Sequence, residues 1–239
     1  MLIVYRCLTF ILSPFLIFLT YCRLILKKED KLRFKEKIFS SSFNPTIDRD
    51  KKLIWFHAAS IGEVLSILPL INELNNSNKY LNFLITSVTL SSANLLEKKL
   101  KQFNNITHRF FPFDTYKLSK KFLDMWKPDL ICFVDSEIWP NFLFAIKKRE
   151  IPLVLINGRI TKKTFKRWNI FFNFAKKVFN NFDLCMPCSE ESRNNLKMLQ
   201  VKKISHVGNL KFTVKKEKEN TIQQSNIKIL NNFIVWCAA

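Results

Sequence analysis

Hydrophobic positions along the chain fall into two regimes. Residues 1–26, MLIVYRCLTFILSPFLIFLTYCRLIL, are apolar almost without interruption, with Arg6 and Arg23 as the only charges. That length is close to the roughly 20 residues a membrane-crossing helix needs, so the pattern predicts an anchor helix. Pro14 and Arg6 also admit a kinked helix lying in the membrane interface. No small-residue cleavage site follows the run, which argues against a removed signal peptide. Beyond it, short apolar runs alternate with longer mixed segments: LIWFH (53–57), NFLIT (82–86), THRFFPF (107–113), LICFVD (130–135), PLVLIN (152–157), LCMPC (184–188) and ISHV (204–207). These runs are rich in β-branched and aromatic residues and do not alternate cleanly, as expected of parallel strands buried on both faces. Helices are predicted over 62–75, 91–102, 116–126, 140–149, 162–179 and 190–199, with Pro140 suited to a first turn. The repeated strand–helix pattern predicts an α/β domain of Rossmann-like, doubly wound type with a parallel sheet, preceded by the membrane helix.

Composition adds a charge. The 239 residues carry 39 Lys and Arg against 19 Asp and Glu, a formal net charge of +20, which favours anionic partners. The cluster Lys27, Lys28, Lys31, Arg33, Lys35 and Lys37 follows the apolar run, so the positive-inside rule puts the domain on the cytoplasmic face of the membrane. From Arg159 to Lys177 the chain has cations and aromatic residues and no acid. That composition fits a helix lying on an anionic membrane surface; an ordinary amphipathic core helix, or a membrane-tethered nucleic-acid-binding protein tracking a phosphate backbone, are the alternatives. The six cysteines form no disulfide framework, and Cys185 and Cys188 lack the second pair a structural zinc site requires. Neither GxGxxG nor GxxxxGK[ST] occurs, which disfavours classical dinucleotide or P-loop binding.

The three glycines, Gly62, Gly158 and Gly208, all fall just after predicted strands. Each keeps polar company: Ser60 and Glu63 beside the first, Asn157 and Arg159 beside the second, Asn209 and Lys211 beside the third. Asp135-Ser136-Glu137 ends another strand and Thr86-Ser87 one more. In an open parallel sheet these ends share the edge at which ligands bind. Glu63 at a helix start reads either as a general base or as an acid complementing the helix dipole, and Glu137 is equally open. Lys211 could neutralise a phosphate or carboxylate. His57 ends the first strand, but it, His108 and His206 have no ligand spacing.

Read in order, Trp55-Phe-His-Ala-Ala-Ser-Ile-Gly-Glu-Val64, Asp135-Ser-Glu-Ile-Trp-Pro-Asn141, Asn157-Gly-Arg159 and Gly208-Asn-Leu-Lys-Phe212 resemble the Kdo (3-deoxy-D-manno-octulosonic acid) transferase family. The resemblance covers 53–212, with Ile61, Asp135-Ser136 and Gly158 departing from commoner choices. It implies a GT-B fold of two Rossmann-like domains, the first on the acceptor side. It further implies transfer of Kdo from CMP-Kdo to the lipid A precursor (lipid IVA), with inversion, at the cytoplasmic face of the bacterial inner membrane. Glu63 would be the general base, and Glu137 and Lys211 would stabilise the transition state. Ser60, Gly62, Thr86, Ser87, Asn157, Arg159 and Asn209 would bind substrate. The resemblance implies no metal, no cofactor and no nucleic-acid partner. The expected division is an anchor at 1–26, a basic juxtamembrane segment at 27–50, the acceptor-side domain at 51–212, a linker at 213–232, and at 233–239 the truncated start of a donor domain, so that the chain would be an incomplete enzyme. A non-catalytic remnant is the remaining alternative.

Overall fold

The computed structural model describes residues 1–45, 48–206 and 208–210. Lys211, the linker at 213–232 and the strand at 233–239 lie outside the described residues. Six strands form one parallel sheet: β1 (Lys52–His57), β2 (Leu81–Ser87), β3 (Ile106–Phe110), β4 (Leu130–Val134), β5 (Leu153–Gly158) and β6 (Leu184–Pro187), in the order β3-β2-β1-β4-β5-β6. Of the 204–207 run, predicted as a further strand, the described residues 204–206 contribute an isolated bridge from Ile204 to Cys185.

Strand residues alternate between two cores. Ile54, Phe56, Phe83, Ile85, Cys132, Val134 and Ile156 face α2 (Ile61–Ser77) and α3 (Leu90–Leu100). Leu53, Trp55, Leu84, Ile131, Phe133 and Leu155 face α4 (Tyr116–Trp126), α5 (Pro140–Lys148), α7 (Phe172–Phe179) and α8 (Glu190–Met198). Both faces are covered, which is why the runs read as continuously apolar. Trp55 centres the second core, with the rings of Phe111, Phe122, Phe133 and Phe142 between 4.9 and 6.2 Å from its own.

Two expectations change shape. The helix predicted over 162–179 is two, α6 (Lys162–Asn169) and α7, separated at Ile170–Phe171, whose side chains are exposed. The break allows Phe165, Trp168 and Phe174 all to turn onto the core. The basic segment expected to precede the domain instead folds into it: Phe34, Ile38 and Phe43 are buried. This segment lies along β3, where the Glu36 carboxylate accepts the Phe110 N–H, the Arg33 guanidinium donates to the His108 carbonyl and Lys37 O accepts the Phe113 N–H. The opposite edge, β6, is bonded to residues 203–205 through Cys185.

The N-terminal run forms one helix, α1 (Leu2–Ile25), continuous through Pro14 and long and apolar enough to cross a membrane. It lies against the domain. Tyr5 donates to the Asp114 carboxylate, Asn141 to the Thr9 hydroxyl, Arg6 sits over the Tyr116 ring, and Arg23 pairs with Glu29. Its other side exposes Ile3, Phe10, Ile11, Phe15 and Phe18.

Candidate functional site

Strand order reverses between β1 and β4, so the loops after these two strands flank a crevice at the carboxyl edge of the sheet, the usual ligand position in doubly wound folds. Ser60, Gly62 and Glu63 follow β1, and Asp135, Ser136 and Glu137 follow β4.

Ser60 caps α2. Its hydroxyl accepts the Glu63 N–H at 3.4 Å and donates to Glu63 Oε1 at 2.7 Å, while Glu63 Oε2 accepts the Ala59 N–H at 2.8 Å. This reciprocal box fixes the carboxylate on the first turn of α2, where the helix dipole favours it. Burial pushes the Glu63 carboxyl above its ordinary range; the bonds from Ser60 and Ala59 oppose the rise, and the charges of Glu137 and Asp135 add to it. Gly62 needs no special backbone: its φ is not left-handed, and a β-carbon there would meet nothing within 4 Å. By contrast, Gly158 occupies an irregularity between β5 and β6, where a β-carbon would come within 2.8 Å of Leu155 Cδ2.

Glu137 is held from two sides. Oε2 receives the Trp139 indole N–H at 2.7 Å and faces His57 Nε2 at 3.1 Å. His57 Nδ1 lies 3.0 Å from the Thr86 hydroxyl, which also accepts the Trp55 indole N–H at 2.8 Å. A proton on Nε2 supplies the donor to Glu137, and the Thr86 hydroxyl, which can both donate and accept, meets Nδ1 whether or not that nitrogen is also protonated. Phe111 stacks on the imidazole at 3.8 Å. Burial alone would raise the Glu137 carboxyl, but the bond and charge from His57 and the Trp139 bond outweigh it and hold the group below its ordinary range. The two carboxylates thus sit in environments that push them apart.

Thr86 and Ser87, expected to bind substrate, lie beneath the crevice. Both are fully buried, because β2 is flanked by strands on either side, and their hydroxyls are engaged by Trp55 and His57 and by His108. Thr86 orients His57 from beneath the site. His108, driven down to about 3 by burial and by Arg33 and Arg109, is a neutral bridge between Arg33 and Ser87. Asn157 is also buried, with a left-handed φ of 54, and its side-chain oxygen accepts the Leu210 N–H. Arg159 is exposed, its backbone tied to Asp135 and Ser136. Asn209 is half-buried. Sequence reading noticed His57 without giving it a role; adjacency of β1 and β4 supplies it. Asp114 gave no local signal beyond preceding a helix cap, yet it is a buried joint between α1 and α5.

Among the described residues no three His, Cys, Asp or Glu side chains converge as a metal site would require. Cys185 is buried and its thiol pushed up to about 12, while Cys188 is half-buried and lies 3.8 Å from the Ser192 hydroxyl.

Residues 32–214 match the family described as 3-deoxy-D-manno-octulosonic-acid transferase (kdotransferase). The chain belongs to the Kdo transferase family. It is 33% identical over 225 residues to the 3-deoxy-D-manno-octulosonic acid transferase of Rickettsia bellii, covering 94% of this chain and 52% of that protein. The corresponding Rickettsia typhi enzyme is 30% identical over 270 residues, with 96% and 58% covered. The chain thus spans about half the length of these curated relatives. Among solved structures, MnaA of S. aureus in complex with UDP superposes with a TM-score of 0.50 at 15% identity, covering 73% of this chain and 51% of that one. That likeness extends the fold, a Rossmann-like domain of GT-B type, beyond the Kdo transferases.

Proposed function

We propose that this chain is the acceptor-side half of an inverting glycosyltransferase that moves Kdo from CMP-Kdo to the lipid A precursor, lipid IVA, in lipopolysaccharide synthesis at the cytoplasmic face of the bacterial inner membrane. The observation that carries the reading is the pair of unlike carboxylates at the strand-order reversal. Two acids pushed in opposite directions by their surroundings mark a division of acid and base labour. Glu63, whose carboxyl is raised, is the better proton acceptor and takes the proton of the acceptor hydroxyl as the sugar arrives and the CMP phosphate departs. Glu137, held ionised by His57 and Trp139, stabilises positive charge developing at the sugar. Lys211 would serve the departing phosphate. Gly62 leaves the end of α2 uncovered, so substrate can approach the helix terminus beside Glu63. Ser60 sets the Glu63 carboxylate, while Asn157, Arg159 and Asn209 belong to the β5 side of the crevice, where the remaining substrate contacts are made.

The test is Glu63→Gln in a protein extended to the length of its relatives. The amide keeps the shape and one acceptor but cannot take the proton. Transfer from CMP-Kdo should fall by ~10²- to 10⁴-fold with the melting temperature little changed. In the unaltered enzyme, kcat should fall as pH drops through the raised Glu63 value, since protonation removes the base. Near-normal turnover of the variant would take Glu63 out of this role.

A further inference from the structure

Helix α1 does not close onto the domain it lies against. Between it and the loops after β2 and β3 runs a slot of about 510 Å³, walled chiefly by Leu16, Leu19, Val88, Phe111, Phe113 and Trp139. That volume is within the ~300–1,000 Å³ of ordinary ligand pockets. The charged groups lining the slot fall in two bonded clusters, and the hydroxyls of Thr20, Thr89 and Thr115 are engaged by the Leu16 carbonyl, by Ser92 and by the Leu118 N–H. In one cluster Tyr5 donates to Asp114, Asn141 donates both to the Asp114 carbonyl and to Thr9, and Asp114 also accepts the Asn141 and Phe142 N–H groups. In the other, Glu29 binds Arg23 and Lys37, and Lys37 also donates to the Val88 carbonyl. The accessible lining between these groups is mainly apolar, so the slot offers water few partners and suits a hydrocarbon.

Two walls are shared with the candidate site. The Trp139 indole holds Glu137, and Phe111 stacks on His57. The opposite side of α1 exposes Ile3, Phe10, Ile11, Phe15 and Phe18, a stripe suited to the bilayer from which an acylated molecule would come. We infer that the slot beneath α1 receives one long acyl chain of the acceptor, so that α1 is the roof of a lipid-binding groove leading to Glu137 and Glu63. This rests on the acceptor-side reading above and adds the place where the lipid is held.

The experiment uses the full chain in phosphatidylglycerol vesicles doped with a phospholipid bearing a diazirine at the end of one acyl chain. After photolysis, labelled residues are mapped by mass spectrometry. Label is expected on Leu16, Leu19, Val88 and Phe113. It should drop at least about tenfold in Leu19→Trp, which fills the slot from the helix side without touching the domain core, and persist in Phe10→Ala. An excess of unlabelled, acylated and phosphorylated glucosamine disaccharide should displace it. Label confined to the outer stripe of α1 would overturn the slot, whatever Glu63→Gln does to transfer. Slot label that the acylated disaccharide cannot displace would overturn the acceptor as its occupant and assign the groove to membrane lipid, while Glu63→Gln tests the catalytic reading independently.

Discussion

At the scale of single residues, Gly62 separates folding from function more sharply than either acid. Its backbone is ordinary helix and open space surrounds it, so stability does not demand a glycine. Alanine there should leave the protein as stable or up to ~1 kcal/mol more so, because alanine is the better helix former. If the end of α2 receives substrate, Gly62→Ala should nonetheless raise KM or lower kcat in a full-length enzyme. Unchanged kinetics together with a higher melting temperature would make Gly62 a neutral position. Glu63 was legible as an acid at a helix start because a glycine after an apolar run is a local signal; its reciprocal cap with Ser60 emerged only in the structure. Thr86 and Ser87 were not, because their partners Trp55, His57 and His108 come from neighbouring strands. A hydroxyl at a strand end looks the same in sequence whether it faces solvent or an indole.

Among the elements, the joint between α1 and α5 stands on Asp114. Trp139, the N-cap position of α5, makes no side-chain cap, and the Asp114 carboxylate takes the Asn141 and Phe142 N–H groups in its place while receiving the Tyr5 hydroxyl. Asp114→Ala would leave two buried N–H groups unpartnered, at a cost of roughly 2–5 kcal/mol, visible as a lowered urea midpoint. Burial lifts the Asp114 carboxyl to about 6 from 3.8, against the opposing bonds from Tyr5, Asn141 and Phe142. Its folded value exceeds the unfolded one, so its contribution to stability is full below about pH 4 and is lost as pH rises through about 6. Unfolding midpoints of wild type and Asp114→Asn compared from pH 4 to 7 should show this slope in the difference between them; a difference independent of pH would exclude it. The sequence predicted strands and most helices because hydrophobic period and caps are local. It placed residues 27–50 outside the domain because their cations dominate the composition, whereas Phe34, Ile38 and Phe43 decide where they go. The break between α6 and α7 was likewise hidden, since a continuous helix cannot turn Phe165, Trp168 and Phe174 onto one core, and that requirement exists only in three dimensions.

For the molecule as a whole, the distinction between anchor and domain can be tested by where the chain is cut. Removing residues 1–26 takes away α1 and leaves the Glu29–Lys37 pair and the buried Phe34 in place. That form should stay folded and leave the membrane fraction, while the intact chain resists a high-salt wash. Removing residues 1–38 also strips Glu36 from the Phe110 amide and Ile38 from the core, so it should aggregate. Fractionation with circular dichroism and gel filtration separates these outcomes, and a soluble intact chain would defeat the anchor. Parallel topology and a shared carboxyl edge carrying the polar loops were legible from the alternation of runs; the strand order, and with it the crevice between β1 and β4, was not, because it depends on which crossovers pack. The same coverage of the sheet bears on how the protein behaves in solution. With β3 bonded along its rim by residues 33–37 and β6 by residues 203–205, neither rim is open for another chain to continue the sheet. Self-association of the described part should then run through the greasy outer stripe of α1, and a detergent micelle or nanodisc that covers this stripe should be enough to keep the protein dispersed.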